Sequence, residues 1–238
     1  MTIFNRNFEP GWLMTLLTAF GLLIFISLGM WQLERAAFKK AVKYKFETRL
    51  AADFRLFDAR ETLIDIEYQK LILRGRYDIS RSMLLDNQLL QGRAGYHVLS
   101  PFILSGSDKI VLIDRGWVAP GPSRETLPAI EVPAVMDRVR GIASVPDMGG
   151  FRLGEVSLQG IWPQLIPFID IDAMQSQFDN RLLPFILWLA PEQAGYYKRH
   201  WNPAWEDPER SRAYAVQWFA FALIAGVLYI VLNLRKQE

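Results

Sequence analysis

The stretch Ala213–Leu234, AYAVQWFAFALIAGVLYIVLNL, runs for twenty-two residues between Arg212 and Arg235 without a charge. At 1.5 Å of rise per residue, a helix of that length crosses a hydrocarbon core of about 30 Å. Lipid offers backbone amides no partner, so the segment must bond to itself, and a helix is predicted. Tyr214, Gln217, Trp218 and Phe221 recur at i, i+3, i+4 and i+7 and share one face. Two readings of that face stay open: an interfacial aromatic belt with Gln217 among the headgroups, or a contact surface for a partner. Ala222 and Gly226 form a small-xxx-small pair, which would let a second helix approach closely.

A second charge-free run, Pro10–Leu33, lies between Glu9 and Glu34, with Trp12 and Trp31 near its ends. It is longer than a signal-peptide core, and the GMWQLERAAFKK that closes it has no Ala-x-Ala cleavage pattern, so it reads as an uncleaved anchor. Beyond it, Glu34–Ala52 continues as an amphipathic helix, with Trp31, Phe38, Val42, Phe46 and Leu50 on one face and basic residues on the other. No stacking platform or nucleic-acid motif accompanies those cations, so they are read as touching lipid phosphates, with no nucleic acid partner. The predicted order is a tail at 1–10, a transmembrane helix at 11–33, a domain at 34–212, a second transmembrane helix at 213–234 and a tail at 235–238. Two spans put both termini on one side. The central loop is rich in Lys and Arg, but at 179 residues it exceeds the length over which charge fixes sidedness.

Composition removes whole classes of chemistry. Among 238 residues there is no cysteine, which excludes disulfides, thiolate catalysis, iron–sulfur clusters and covalent haem attachment through sulfur. It also argues against a Cu(I) carrier, which depends on soft thiolates. A formal charge of +2 says little about partners.

From Glu67 the pattern changes to period two. Candidate strands are Tyr68–Tyr77, Ser82–Asn87, Tyr96–Leu104, Ile110–Val118, Arg138–Val145 and Phe185–Ala190, with glycines and prolines supplying turns. A short helix is predicted at Ile171–Phe178, capped by Asp170. Strands in succession without long crossover helices favour antiparallel pairing. The fold class is thus a membrane protein whose two terminal transmembrane helices flank an α+β domain, dominated by antiparallel β-sheet or a partly open barrel.

Two histidines are available. His97, on a predicted strand, reads as a sheet residue bonded to a neighbour. His200, in YYKRHWNPAW, is either an axial ligand for a haem at the membrane surface or an aromatic-like interfacial side chain. Asp114-Arg115 reads as an ion pair at a strand end. The sequence carries no nucleophile elbow, Walker loop, zincin helix or dinucleotide fingerprint.

Six blocks in order carry a family resemblance: LGMWQLERAAFKK at Leu28–Lys40, GRYD at Gly75–Asp78, LLDNQ at Leu84–Gln88, GYHVLSPF at Gly95–Phe102, VLIDRGWV at Val111–Val118 and YAVQWFAFA at Tyr214–Ala222. With them the chain resembles the surfeit locus protein 1 family, membrane factors for cytochrome c oxidase assembly. The resemblance implies a two-pass protein of the cell inner membrane, its β-rich domain periplasmic and both termini cytoplasmic. It implies a cytochrome c oxidase core subunit as partner, membrane lipid as surroundings, and help in maturing haem a. Three departures stand out: Asp114 where the family has Asn, Gln88 where Arg is common, and Ser211 where the family's haem-associated His stands. Serine offers iron no imidazole. A non-enzymatic assembly factor is expected, its contact face being Tyr214, Gln217, Trp218 and Phe221, with His200 as the nearest imidazole. A membrane-anchored hydrolase using His97 or Asp114, or a structural scaffold unrelated to haem, are the alternatives.

Overall fold

The computed structural model describes residues 2–3, 6–121, 126–131, 137–146, 162–179, 181–193, 197–199 and 207–236. The chain divides into two compact units, Met1–Lys45 with Pro203–Glu238, and Phe46–Asn202.

The first unit is a pair of long apolar helices. Helix α1 spans Trp12–Ala51 and α3 spans Pro208–Leu232, the two helices long and apolar enough to cross a membrane. Helix α3 starts five residues before the charge-free run, because Asp207 caps it by accepting from the Glu209 N–H at 3.1 Å and Pro208 occupies the first turn. Helix α1 continues unbroken from the apolar run into the amphipathic one. Its expected apolar stripe is buried only in part: Phe46 is covered and Val42 and Leu50 are half-buried, whereas Trp31 and Phe38 are exposed and Ala36 and Lys39 are covered instead. Small strands β1 (Thr2–Ile3), β2 (Arg6–Phe8) and β11 (Leu234–Lys236) form a three-stranded sheet in the order β1-β2-β11, all antiparallel.

The second unit is a barrel. Its strands are β3 (Arg55–Leu56), β4 (Lys70–Tyr77), β5 (Met83–Leu90), β6 (Arg93–Leu104), β7 (Ile110–Val118), β8 (Arg138–Ser144), β9 (Gln164–Ile166) and β10 (Leu182–Leu189). The sheet order is β3-β4-β8-β10-β7-β6-β5-β9, and a further β4–β6 pairing closes β4, β8, β10, β7 and β6 into a barrel. Closure gives those strands a partner on both sides and removes an aggregation-prone edge. All six expected strands are present, with ends shifted by up to three residues. Among these six strands one pairing is parallel, β10 with β7, and the short strands β3 and β9 also run parallel to β4 and β5. The residues between β7 and β10 include β8 and β9, long enough to return the chain in the same direction.

Alternation along the strands sorts side chains into two cores. Leu71, Leu73, Phe102, Val111, Ile113 and Phe185 fill the barrel. On the other face, Leu99, Leu112 and Ile186 pack with Ile171, Met174 and Phe178, which come from helix α2 (Ile171–Met174) and the 3-10 turn Gln175–Phe178 after it. The predicted cap is in place: Asp170 Oδ1 accepts from the Ala173 N–H at 3.0 Å.

Candidate functional site

Residues of α1 and α3 interlock in antiparallel register. Phe25 stacks on Trp218 at 6.0 Å and meets Phe221 at 5.9 Å. Near one end the Thr15 and Tyr229 hydroxyls are 2.7 Å apart, and near the other Lys39 Nζ donates to Ser211 Oγ at 3.0 Å. At Gly29 an added Cβ would lie 2.6 Å from the Phe219 ring. Gly29, inside LGMWQ, is thus a small residue that makes room for a ring of the facing helix. Of the expected pair, Ala222 is covered while Gly226 has open space around it.

The four residues assigned to a contact face do not share one fate. Trp218 and Phe221 lean on Phe25, while Tyr214 and Gln217 are exposed. Gln217 lies six to seven residues from the middle of the charge-free run, about 10 Å along the axis and inside the roughly 15 Å half-thickness of a hydrocarbon core. Its amide makes no hydrogen bond among the described residues. Ser211 is buried and engaged by a cation. His200 lies outside the described residues.

In the barrel, the two most specific blocks come together on β6 and β7. His97 and Asp114 share the face opposite the barrel interior, and His97 Nδ1 lies 2.7 Å from Asp114 Oδ2, while Asp114 Oδ1 accepts the Gly116 N–H at 3.0 Å. The ion pair expected between Asp114 and Arg115 does not form, because adjacent strand residues point to opposite faces. Arg115 instead projects into the core with 3% exposure, 4.9 Å from the centre of the Tyr197 ring and 5.7 Å from that of Tyr77. Its Nη2 donates to the Glu131 carbonyl at 2.7 Å. Burial lowers the Arg115 pKa, a shift opposed by Tyr197, Tyr77 and Glu131. Burial likewise pushes the Tyr77 phenol up to about 12, although Arg115 and Arg199 favour its anion.

Trp117 closes this end of the sheet. Its Nε1 donates to the Gln88 carbonyl at 2.9 Å, and its backbone exchanges hydrogen bonds with Lys198 at 2.7 and 3.2 Å. Gly95 lies against the indole, where a Cβ would be 2.5 Å from the ring and 2.5 Å from the Val118 carbonyl oxygen. The block spacing thus encodes a contact between a glycine and a tryptophan on neighbouring strands. A cleft of about 700 Å³ opens beside them, lined among others by Leu90, Arg93, Trp117, Glu131 and Lys198. Neither His97 nor Asp114 lines the described clefts. No group of three metal-ligating side chains occurs among the described residues.

The SURF1 family model matches residues 19–223, from within α1 to within α3. An uncharacterized SURF1-like protein of Mycobacterium bovis is 24% identical over 97% of this chain and 88% of its own length. The cytochrome oxidase assembly protein SHY1 of Saccharomyces cerevisiae is 29% identical over 48% of this chain and 30% of its own length. A SURF1-like protein of Drosophila melanogaster is 31% identical over 46% and 41% respectively.

Proposed function

This chain belongs to the SURF1 family, and from that premise we propose that it is a membrane-anchored assembly factor for cytochrome c oxidase that acts on the immature core subunit. The observation that carries the reading is the family match running through both helices and the barrel, together with the likeness to an oxidase assembly protein. The contact face is the flank of α3 that α1 leaves uncovered, Tyr214 and Gln217 with the edge of Phe221. An amide facing lipid at that depth is costly, and a client helix offering a donor or acceptor would satisfy it. Its role is non-enzymatic: His97 and Asp114 hold two strands together.

In this reading the Phe46–Asn202 unit is periplasmic and both termini are cytoplasmic. Position 211 gives haem a no ligand, since the Ser211 hydroxyl is held by Lys39. The chain then assists haem a maturation by holding the client rather than the iron.

The test is genetic and spectroscopic. Deleting the gene should diminish the haem a absorbance of the membranes, and the wild-type gene should restore it. Gln217→Leu should restore less while the protein stays at its normal level. Full restoration by Gln217→Leu would remove the proposed contact face, and an unchanged oxidase in the deletion strain would remove the assembly role. For the cofactor, the full chain purified from oxidase-proficient cells should show no Soret band, and Ser211→His should gain one. A wild-type band that vanishes in His200→Ala would overturn the ligand-free reading.

A further inference from the structure

One face of the barrel has no assigned role, and it carries charge of a single sign. On β4 and β8 the outward positions hold Arg74, Arg76, Arg138 and Arg140, all exposed. Arg74 lies directly opposite Arg138, and Ile72 directly opposite Arg140. Strand geometry spaces such positions about 6.8 Å along a strand and about 4.8 Å across the pair. Like charges opposite one another destabilise a sheet. Two nearby carboxylates are already engaged, Glu61 by Arg55 at 2.7 Å and Asp78 by Arg81 at 2.6 Å. Arg74, Arg138 and Arg140 make no ion pair among the described residues.

The band continues into a cleft of about 610 Å³, where Arg74 is joined by Arg60, Lys109 and the hydroxyl-bearing Ser105 and Ser107. Its one carboxylate, Asp58, accepts the Arg60 backbone N–H at 2.9 Å. Apolar side chains lie among these cations: Leu56 on β3 pairs with Ile72, lines the same cleft and is 52% exposed.

We propose that the β4–β8 face and this cleft bind the anionic phosphate headgroups of the membrane in which the chain is anchored. Three features select lipid over an acidic protein surface. The unit is tethered at both ends to helices fit to span a bilayer, so headgroups are at high local concentration. The array is uniform in sign and repeats in two dimensions, as a lipid surface does and a mixed protein surface does not. Exposed Leu56 and half-buried Ile72 stand between the arginines, which suits side chains that enter the interface while cations meet phosphate. The inference rests on membrane anchoring alone and is independent of the client.

The chain has no cysteine, so Leu56→Cys gives a single site for an environment-sensitive dye in the full-length protein. The labelled protein is placed in nanodiscs of phosphatidylcholine, with or without phosphatidylglycerol, each doped with a lipid bearing a nitroxide on its headgroup. Quenching should be weak in neutral discs, strong in anionic ones and reversed by high salt. Arg74→Gln with Arg138→Gln should lower the ratio of lipid-bound to unbound dye about 25-fold, at roughly fivefold per charge. Arg74→Lys with Arg138→Lys should retain most of the quenching. An unchanged near-ultraviolet dichroism spectrum certifies the fold of each variant, and the salt series on the wild-type sequence needs no variant. Equal quenching in neutral and anionic discs, or quenching insensitive to salt, would overturn the proposal. So would loss of a co-purifying acidic protein from the Gln variant while its quenching persists.

Discussion

Two glycines meet two aromatic rings in this molecule, and the contacts are not equivalent. Gly95 lies beneath Trp117 in the barrel, and Gly29 beneath Phe219 in the helix pair. At Gly95 the obstacle to a side chain includes a backbone carbonyl, and the indole is fixed by its own hydrogen bond to Gln88. At Gly29 the three nearest atoms all belong to one phenylalanine ring, that of Phe219. Water drives the barrel contact, because burying an indole removes apolar surface from solvent. A helix pair in lipid gains no such term and depends on packing alone. The same device is therefore rigid in one unit and compliant in the other.

The strongest way to break this contrast is at the indole. Trp117→Ala should cost about 3–5 kcal/mol, read by chemical denaturation of the full chain in detergent, and should lower the amount of protein in cells. A stable Trp117→Ala protein that fails in oxidase assembly would make the ring a partner contact instead. Gly95→Ala comes next, at about 1–3 kcal/mol of overpacking, since neither the carbonyl nor the pinned ring can yield freely. Gly29→Ala should cost less than about 1 kcal/mol, because the Phe219 ring can swing aside. A Gly29→Ala loss as large as that of Gly95→Ala would show that the helix pair is as rigid as the barrel.

The smallest effect is a titration. Tyr77 ionises only near pH 12, held neutral by burial. Its pKa is raised above the ordinary value of about 10. The contribution is therefore fully present below pH 10 and is lost as pH rises from about 10 toward 12. Difference absorbance of phenolate between the wild type and Tyr77→Phe should reveal one late-titrating tyrosine. A Tyr77 that ionises at the ordinary pH would place its hydroxyl in water.

How much of this was legible in sequence follows from the range of each signal. The apolar runs, the Asp170 cap and the strand alternation depend on neighbours a few residues apart, and they appear in the structure nearly where expected. The parallel β7–β10 pairing was not legible, because Leu182 and Ile110 meet only after a long return of the chain. Asp114 and Arg115 misled for a local reason: adjacency in a strand separates side chains rather than joining them. Lys39 and Ser211 are 172 positions apart, and nothing in either sequence context points to the other. Gly29 was not legible either: Gly21 in the same helix offers the same local signal and has open space around it.

The helix pair is pinned at both of its extremities. At one, β2 and β11 exchange backbone bonds and the Glu9 N–H reaches the Asn233 carbonyl at 2.9 Å. At the other, the Lys39 ammonium grips the Ser211 hydroxyl. Sliding one helix past the other by a single turn, about 5.4 Å, would break both fastenings at once. Piston motion is thereby suppressed, and the Gln217 flank is held at a fixed height relative to α1.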